Sequence, residues 1–175
     1  YTHDQVHTTT ENPDNSAERL MLIVEDNDEL RSFLRTIFSG SFRIAEAKNG
    51  AEGIEKAETL IPDIIISDVM MPDKDGIELT HELRENLPTS HIPIILLTAK
   101  STLDSKLKGL EYGANDYITK PFSSTYLKAR VENLLVQHQK IQELYRNNLM
   151  ATPAAKQETQ PLTNQMSAGD RAFVD

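Results

Sequence analysis

Asp68 closes a short apolar run, Ile64 to Ser67, and three other islands of reactive side chains hold the same kind of place. Glu25-Asp26 follows Leu20 to Val24, Thr98-Ala99 ends the run that begins at Ile94, and Lys120-Pro121 follows Tyr117 to Thr119. Open α/β sheets hold ligands outside the carboxyl ends of their strands. If the four runs are parallel strands of one sheet, an acidic pair, a lone carboxylate, a hydroxyl and an ammonium therefore share one crevice. The chemistry such a set could do is phosphoryl capture by Asp68. A carboxylate attacking phosphorus must overcome repulsion between anions, and the mixed anhydride it forms persists only where its charge is held. Magnesium takes about six oxygen ligands and keeps several waters. Asp26 and Asp68 are expected as direct ligands, Glu25 as the holder of a metal-bound water, and the Met70 backbone carbonyl as a further ligand. Lys120 offers a fixed positive charge to one phosphate oxygen, while the Thr98 hydroxyl and the Ala99 amide offer donors to the others.

The elements that must position these residues are legible as periodicity. Leu20 to Val24 reads as a strand buried on both faces. Leu30, Phe33, Leu34, Ile37 and Phe38 follow helical spacing up to Gly40. Phe42 to Ala47 is a weaker strand. Asn49-Gly50 opens a helix with Ala51, Ile54, Ala57 and Leu60 inward, stopped by Pro62. Ile64 to Ser67 is the third strand, Met70 to Gly76 a loop, Ile77 to Leu87 a helix and Ile94 to Thr98 the fourth strand. Leu103, Leu107 and Leu110 predict a fourth helix, Tyr117 to Thr119 a short fifth strand, and Ser123 the N-cap of a long last helix. Strands alternating with helices mark a parallel sheet with crossovers. Taken alone, each island has a plain explanation: solvated acids, a surface lysine, a β-branched strand residue. Their joint placement at four strand ends, with nothing equivalent after the second strand, points to a site and puts that second strand at the sheet edge.

Composition narrows the classes. The 175 residues carry 27 acidic and 18 basic side chains, a formal charge of -9 that argues against direct binding of nucleic acid or an anionic membrane. Without cysteine there is neither a disulfide framework nor a thiolate metal site. No run approaches the roughly 18 apolar residues of a membrane span, and residues 1–18 lack the apolar stretch of a signal peptide, so a cytoplasmic setting is expected, if only as the cytoplasmic part of a membrane-anchored sensor. Asp73 to Gly76 echoes a calcium loop but has Met71 at the first ligand position. His81 and His91 have no partner at catalytic spacing and are expected on the surface. There is no phosphate-binding glycine loop.

Ile23-Val24-Glu25-Asp26-Asn27, Asp68-Val69-Met70-Met71-Pro72 with Asp75-Gly76, Leu97-Thr98-Ala99-Lys100 and Lys120-Pro121-Phe122 together resemble the receiver domains of two-component response regulators. Spacings of 42, 30 and 22 residues from Asp26 through Asp68 and Thr98 to Lys120 fit as well. The resemblance covers about residues 20–136. It implies a flavodoxin-like (βα)5 doubly wound parallel sheet of strand order 2-1-3-4-5, the order that receivers share with flavodoxin. It implies Asp68 as phosphoacceptor, Glu25 and Asp26 as magnesium acids, and Thr98 and Lys120 as phosphate contacts. Glu25 stands where many members have a second aspartate. Thr98 and Tyr117 would form a switch that biases the face of the fourth helix, fifth strand and fifth helix. The Lys120-Pro121 bond would be cis. Met70 and Lys100 would tune the lifetime of the phosphate. Any catalysis would be the domain's own aspartyl phosphorylation and dephosphorylation, with kinase activity outside the chain.

Glu29 to Leu34 and Thr89 to Lys100 look most like receivers of hybrid two-component sensors of Bacteroides-type bacteria, in which a histidine kinase precedes the receiver and an AraC-type DNA-binding domain follows. On that reading 1–18 is a polar linker, 19–136 the receiver, 137–150 an extension of the last helix and 151–175 a linker toward a domain outside the chain. The partner is a histidine kinase phosphodonor, and DNA is reached only through the missing domain. Leu127, Val131, Leu134, His138, Ile141 and Tyr145 repeat at 4-3 spacing, which fits either a homodimer stalk or, with His138 interrupting the seam, one helix running into a linker. Two other classes compete. A phosphorylation-independent interaction module would keep the pocket without its chemistry. A haloacid-dehalogenase-like phosphatase would need a second aspartate two residues after the nucleophile, where this chain has Met70.

Overall fold

Continuous apolar runs form the central strands and apolar stripes at helical spacing form the helices. The structure, a computed structural model, describes residues 18–99, 107 and 110–155, with side chains to residue 149. The chain divides into two units, Tyr1–Leu135 and Val136–Asp175. The first contains β1 (Leu20–Val24), α1 (Asp28–Phe38), β2 (Arg43–Ala47), α2 (Gly50–Leu60), β3 (Ile64–Asp68), α3 (Gly76–Glu85), β4 (Ile94–Thr98) and β5 (Asp116–Thr119), and the start of a C-terminal helix, Ser124–Ala155. Every strand pairing is parallel and the order is β2-β1-β3-β4-β5. This is the expected flavodoxin-like order, with β2 at an edge.

Side chains alternate across the sheet and build two cores. Leu22, Val24, Ile65, Ile94, Leu96 and Tyr117 pack with Ile54 and Ala57 of α2 and Leu79 and Leu83 of α3. Met21, Ile23, Ile64, Ile66, Ile95, Leu97 and Ile118 pack on the other face with Leu34 and Phe38 of α1 and Leu127, Val131 and Leu134 of the C-terminal helix. Burying one such side chain stabilises by about 2 kcal/mol. A one-residue register slip would turn every row to the wrong face, so the register is strongly fixed. The strand ends, and the polar groups on them, are fixed with it.

Helix starts are set by side-chain caps. Asn27 Oδ1 accepts from the Leu30 amide at 3.0 Å, Asn49 Oδ1 from Glu52 at 2.8 Å and Asp75 Oδ1 from Glu78 at 2.8 Å, each satisfying a donor that the first turn leaves over. Ser123 caps the last helix weakly, its Oγ accepting from Tyr126 at 3.4 Å.

Four details differ from the sequence reading. Phe33 is half exposed, because α1 turns Leu34 and Phe38 inward and Leu30 and Ile37 only in part. Ala51 and Leu60 face solvent, while Ile54 and Ala57 are inward as expected and are joined by Gly50 and Gly53, the latter close against Val24 of β1. The third helix ends at Glu85 rather than Leu87, since Pro88 enforces a 3-10 turn over Leu87–Thr89. The last helix runs to Ala155 rather than 150. Of the predicted fourth helix, Leu107 and Leu110 are described and helical, and Leu103 lies outside the described residues. So do the polar ends, apart from Glu18 and the helical backbone of 151–155.

The loop after β3 folds back onto the strand it leaves. The Val69 amide donates to Leu97 O at 2.8 Å, the Gly76 amide to Val69 O at 3.0 Å, and Asp73 turns the chain at φ 68. A Cβ on Gly76 would sit 2.3 Å from the Asp68 carbonyl oxygen, a backbone atom that cannot step aside. Gly76→Ala is therefore expected to destabilise the domain by about 2–3 kcal/mol, read as a lower urea midpoint with an unchanged slope.

Candidate functional site

The alternation that builds the two cores also sorts the polar residues at the carboxyl edge. Glu25 continues the Met21–Ile23 row, its amide still in the ladder to Ala47 O at 3.0 Å. Asp68 continues Ile64–Ile66. Lys120 continues Ile118, and its amide donates to Thr98 O at 2.6 Å. These three therefore leave the sheet on one face and meet. Lys120 Nζ lies 3.2 Å from Asp68 Oδ1 and 3.8 Å from Glu25 Oε2. Ligand oxygens of Glu25, Asp26 and Asp68 lie within 4.8 Å of one another. Glu25 and Asp68 are buried while Asp26 is exposed, so the cluster opens to solvent on one side.

Thr98 and Tyr117 belong to the opposite row. Thr98 follows Ile94 and Leu96, one register step beyond Leu97, which pairs with Asp68 on β3. Tyr117 pairs with Leu96. Both are buried, Thr98 at 1% exposure, whereas Ala99 and the Met70 side chain are exposed. The Lys120-Pro121 peptide is cis. Lys100 lies outside the described residues. His81 and His91 are on the surface, His81 paired with Glu85 at 3.2 Å.

Other residues hold the acids in place. The Asn27 amide donates to Glu25 Oε1 at 3.2 Å, Arg31 Nη1 to the Glu25 carbonyl at 2.9 Å, and the buried Ser67 Oγ to the Asp68 carbonyl at 3.0 Å. The sequence reading passed over all three in this role. Asn27 is legible as the cap of α1, but the reach of its backbone amide to Glu25 is not, since nearly any residue there carries an amide. Nothing in the spacing of Arg31 or Ser67 marks them, since both are ordinary residues of a helix face and a strand.

Burial pushes the Glu25 carboxyl up to about 7; the neighbouring Asp68 adds to the rise, while Lys120 and the Asn27 amide oppose it. Two buried carboxylates, Glu25 and Asp68, against one half-buried ammonium are a costly set, with the exposed Asp26 adding a third negative charge beside them. Glu25 Oε2 and Asp68 Oδ1 also have no hydrogen bond among the described residues, Asp68 Oδ1 facing Lys120 as an ion pair only. An all-oxygen donor set with unsatisfied buried carboxylate oxygens suits a hard divalent cation.

The family model of the response regulator receiver domain matches residues 21–132, well over half of the 175 residues. The chain belongs to this family. A receiver is the phosphoacceptor part of two-component signalling. Histidine kinase P4 of Formosa agariphila is 40% identical over 134 residues, 77% of this receiver chain and 10% of that protein. The KDP operon transcriptional regulatory protein KdpE of Escherichia coli is 42% identical over 119 residues, 67% of the chain and 52% of its relative. The chain thus spans a tenth of one relative's length and about half of the other's. Among solved structures, the receiver of the sensor histidine kinase PA1611 from Pseudomonas aeruginosa has a magnesium ion coordinated in its active site cleft. It is similar with a TM-score of 0.63 at 28% identity, over 67% of this chain and 97% of that one.

The raised Glu25 carboxyl sets a pH dependence. Folding favours its protonated form, so the contribution is complete below the ordinary value of 4.5 and is lost as pH rises through about 7. In the presence of a chelator, the urea midpoint of the receiver is expected to fall across that window, and Glu25→Gln is expected to flatten the fall.

Proposed function

We propose that Asp68 accepts a phosphoryl group from the phosphohistidine of a histidine kinase, and that the modified domain controls a linked output domain. The observation that carries this is the buried Asp68 carboxylate at the end of β3, 3.2 Å from Lys120 Nζ and within 4.8 Å of the Glu25 and Asp26 oxygens. In the transfer an Asp68 carboxylate oxygen forms a bond to phosphorus as the phosphorus–nitrogen bond breaks, and the imidazole leaves with the electron pair and takes up a proton. Glu25, Asp26, Asp68 and the Met70 backbone carbonyl would hold magnesium, which when bound neutralises charge on the carboxylates and on the incoming phosphate oxygens.

The chain's own residues do the rest. Lys120, already turned toward Asp68, moves its charge to a phosphate oxygen, and the Thr98 hydroxyl and Ala99 amide donate to the others. Asn27 and Arg31 hold Glu25 so that its carboxylate stays aimed inward. Thr98, drawn toward the new group, leaves space along its own row for Tyr117, and this changes the face formed by the fourth helix, β5 and the C-terminal helix. Met70 and Lys100, flanking Asp68 and Thr98 in sequence, govern how readily water reaches the acyl phosphate.

One relative is a histidine kinase and one a transcriptional regulator, which supports a receiver that serves a kinase and a linked output domain. The finer placement is our proposal from the sequence resemblance alone: a cytoplasmic receiver between residues 1–18 and 151–175 as linkers, in a hybrid protein whose AraC-type domain touches DNA. No described helix is long and apolar enough to cross a membrane.

The test is intact mass after incubating the chain with magnesium and acetyl phosphate. One added phosphoryl group is expected, removed by hydroxylamine and absent from Asp68→Asn and from a chelated sample. Lys120→Met is expected to slow its appearance by about 100-fold. Magnesium binding without any adduct, even with a kinase supplied, would instead favour a phosphorylation-independent interaction module.

A further inference from the structure

In the second unit, every side chain of the C-terminal helix from Gln139 to Leu149 is exposed. Four are large and apolar: Ile141 at 53%, Leu144 at 61%, Tyr145 at 68% and Leu149 at 75%. A surface of this kind is costly to leave in water, and its arrangement says what covers it. At 100° per residue, Gln137, His138, Ile141, Gln142, Leu144, Tyr145, Asn148 and Leu149 fall within an arc of roughly 160°. Lys140, Glu143 and Arg146, the three charged residues between 137 and 149, all lie outside that arc.

We propose that this stripe pairs with the same stripe of a second copy of the chain. A symmetric interface brings a surface against its own likeness, so each group on it must tolerate, or bond to, groups of the same kind. Lysine, arginine and glutamate cannot do so, since each would meet its own charge. Imidazole, carboxamide and phenol can, because each both donates and accepts hydrogen bonds. The polar residues on the stripe are of that self-complementary sort without exception. His138 and Gln142 already stand 3.2 Å apart on it, Nε2 to Nε2. A partner of opposite charge would call for charge on the stripe itself, and there is none.

The positions His138, Ile141, Tyr145 and Asn148 step by three, four and three, the repeat of a coiled-coil seam. Farther toward the N-terminus the same repeat is used up, because Leu127, Val131 and Leu134 are buried in the core of the first unit. About two heptads lie beyond that core, too few for a strong isolated pairing. Association is therefore expected only at high concentration or where copies are held close together.

Sedimentation equilibrium of the full chain from about 1 μM to 1 mM covers the range of such weak binding. The mass is expected to rise toward that of a dimer. Ile141→Lys/Tyr145→Lys and Ile141→Glu/Tyr145→Glu are each expected to weaken self-association at least tenfold, and an equimolar mixture of the two is expected to restore it. Val136→Lys, on the opposite side of the helix, should leave it unchanged. Far-UV circular dichroism checks that each variant remains folded, which the exposure of the substituted residues favours. A monomer throughout the range would overturn the proposal, and so would a Lys double variant that dimerises as the wild type does, since the contact would then lie on another face.

Discussion

Three carboxylates and one ammonium held at the end of a buried sheet are the constraint on which the rest of the structure depends. Asp68 and Glu25 are nearly inaccessible to water, and Lys120 alone among the described residues brings a positive charge to both. Such a set is not built for stability. Replacing buried charges by apolar groups of similar size is often neutral or favourable, and burial beside Asp68 pushes the Glu25 carboxyl up. That push is opposed by whatever adds positive charge to the cluster. A domain with this edge is therefore poised toward a cation and, through it, toward an anion that the bare carboxylates would repel.

Holding the cluster requires a scaffold that does not yield. The two cores on either face of the sheet supply it, because the rows that bury Ile64 and Ile66 also fix the direction of Asp68, and those that bury Met21 and Ile23 fix Glu25. The loop beyond β3 adds the close passage at Gly76, where the helix starts so near the Asp68 carbonyl that only glycine fits. The Asp75 cap and the Gly76 to Val69 hydrogen bond keep that start in place. Packing far from the acids thus decides their geometry more than any contact between them.

The sheet was legible because it is built from local signals. Apolar runs such as Leu20–Val24 and Ile94–Leu97 between turns could hardly be anything but strands, and the reactive islands stood at the strand ends that parallel order brings together. The helix faces were less legible. Ala51 and Leu60 fit a helical stripe as well as Gly50 and Gly53 do, but hydrophobicity does not report where a helix must come close to a strand, and Val24 leaves room only for glycine at 53. Arg31 and Ser67 went unrecognised for a related reason: they act on backbone carbonyls of site residues, and nothing in a side-chain pattern records which carbonyl lies within reach.

The division of the site between two rows bears on how a signal could leave it. Glu25, Asp68 and Lys120 continue the row on the face of α1 and the C-terminal helix, while Thr98 and Tyr117 continue the row on the face of α2 and α3. Thr98 and Asp68 are nonetheless on adjacent strands, one register step apart. A group added to Asp68 that engages the Thr98 hydroxyl would therefore couple the two faces of the sheet at its edge, the one place where side chains are not locked between layers. Along the Thr98 row the next neighbours are Leu96 and, across from it, Tyr117. On the proposed reading, displacement at Thr98 would be answered at Tyr117, since Leu96 between them on that row is fully buried. The same close packing that fixes the acids leaves few ways for the domain to respond, and that scarcity makes a two-state answer more natural than a graded one.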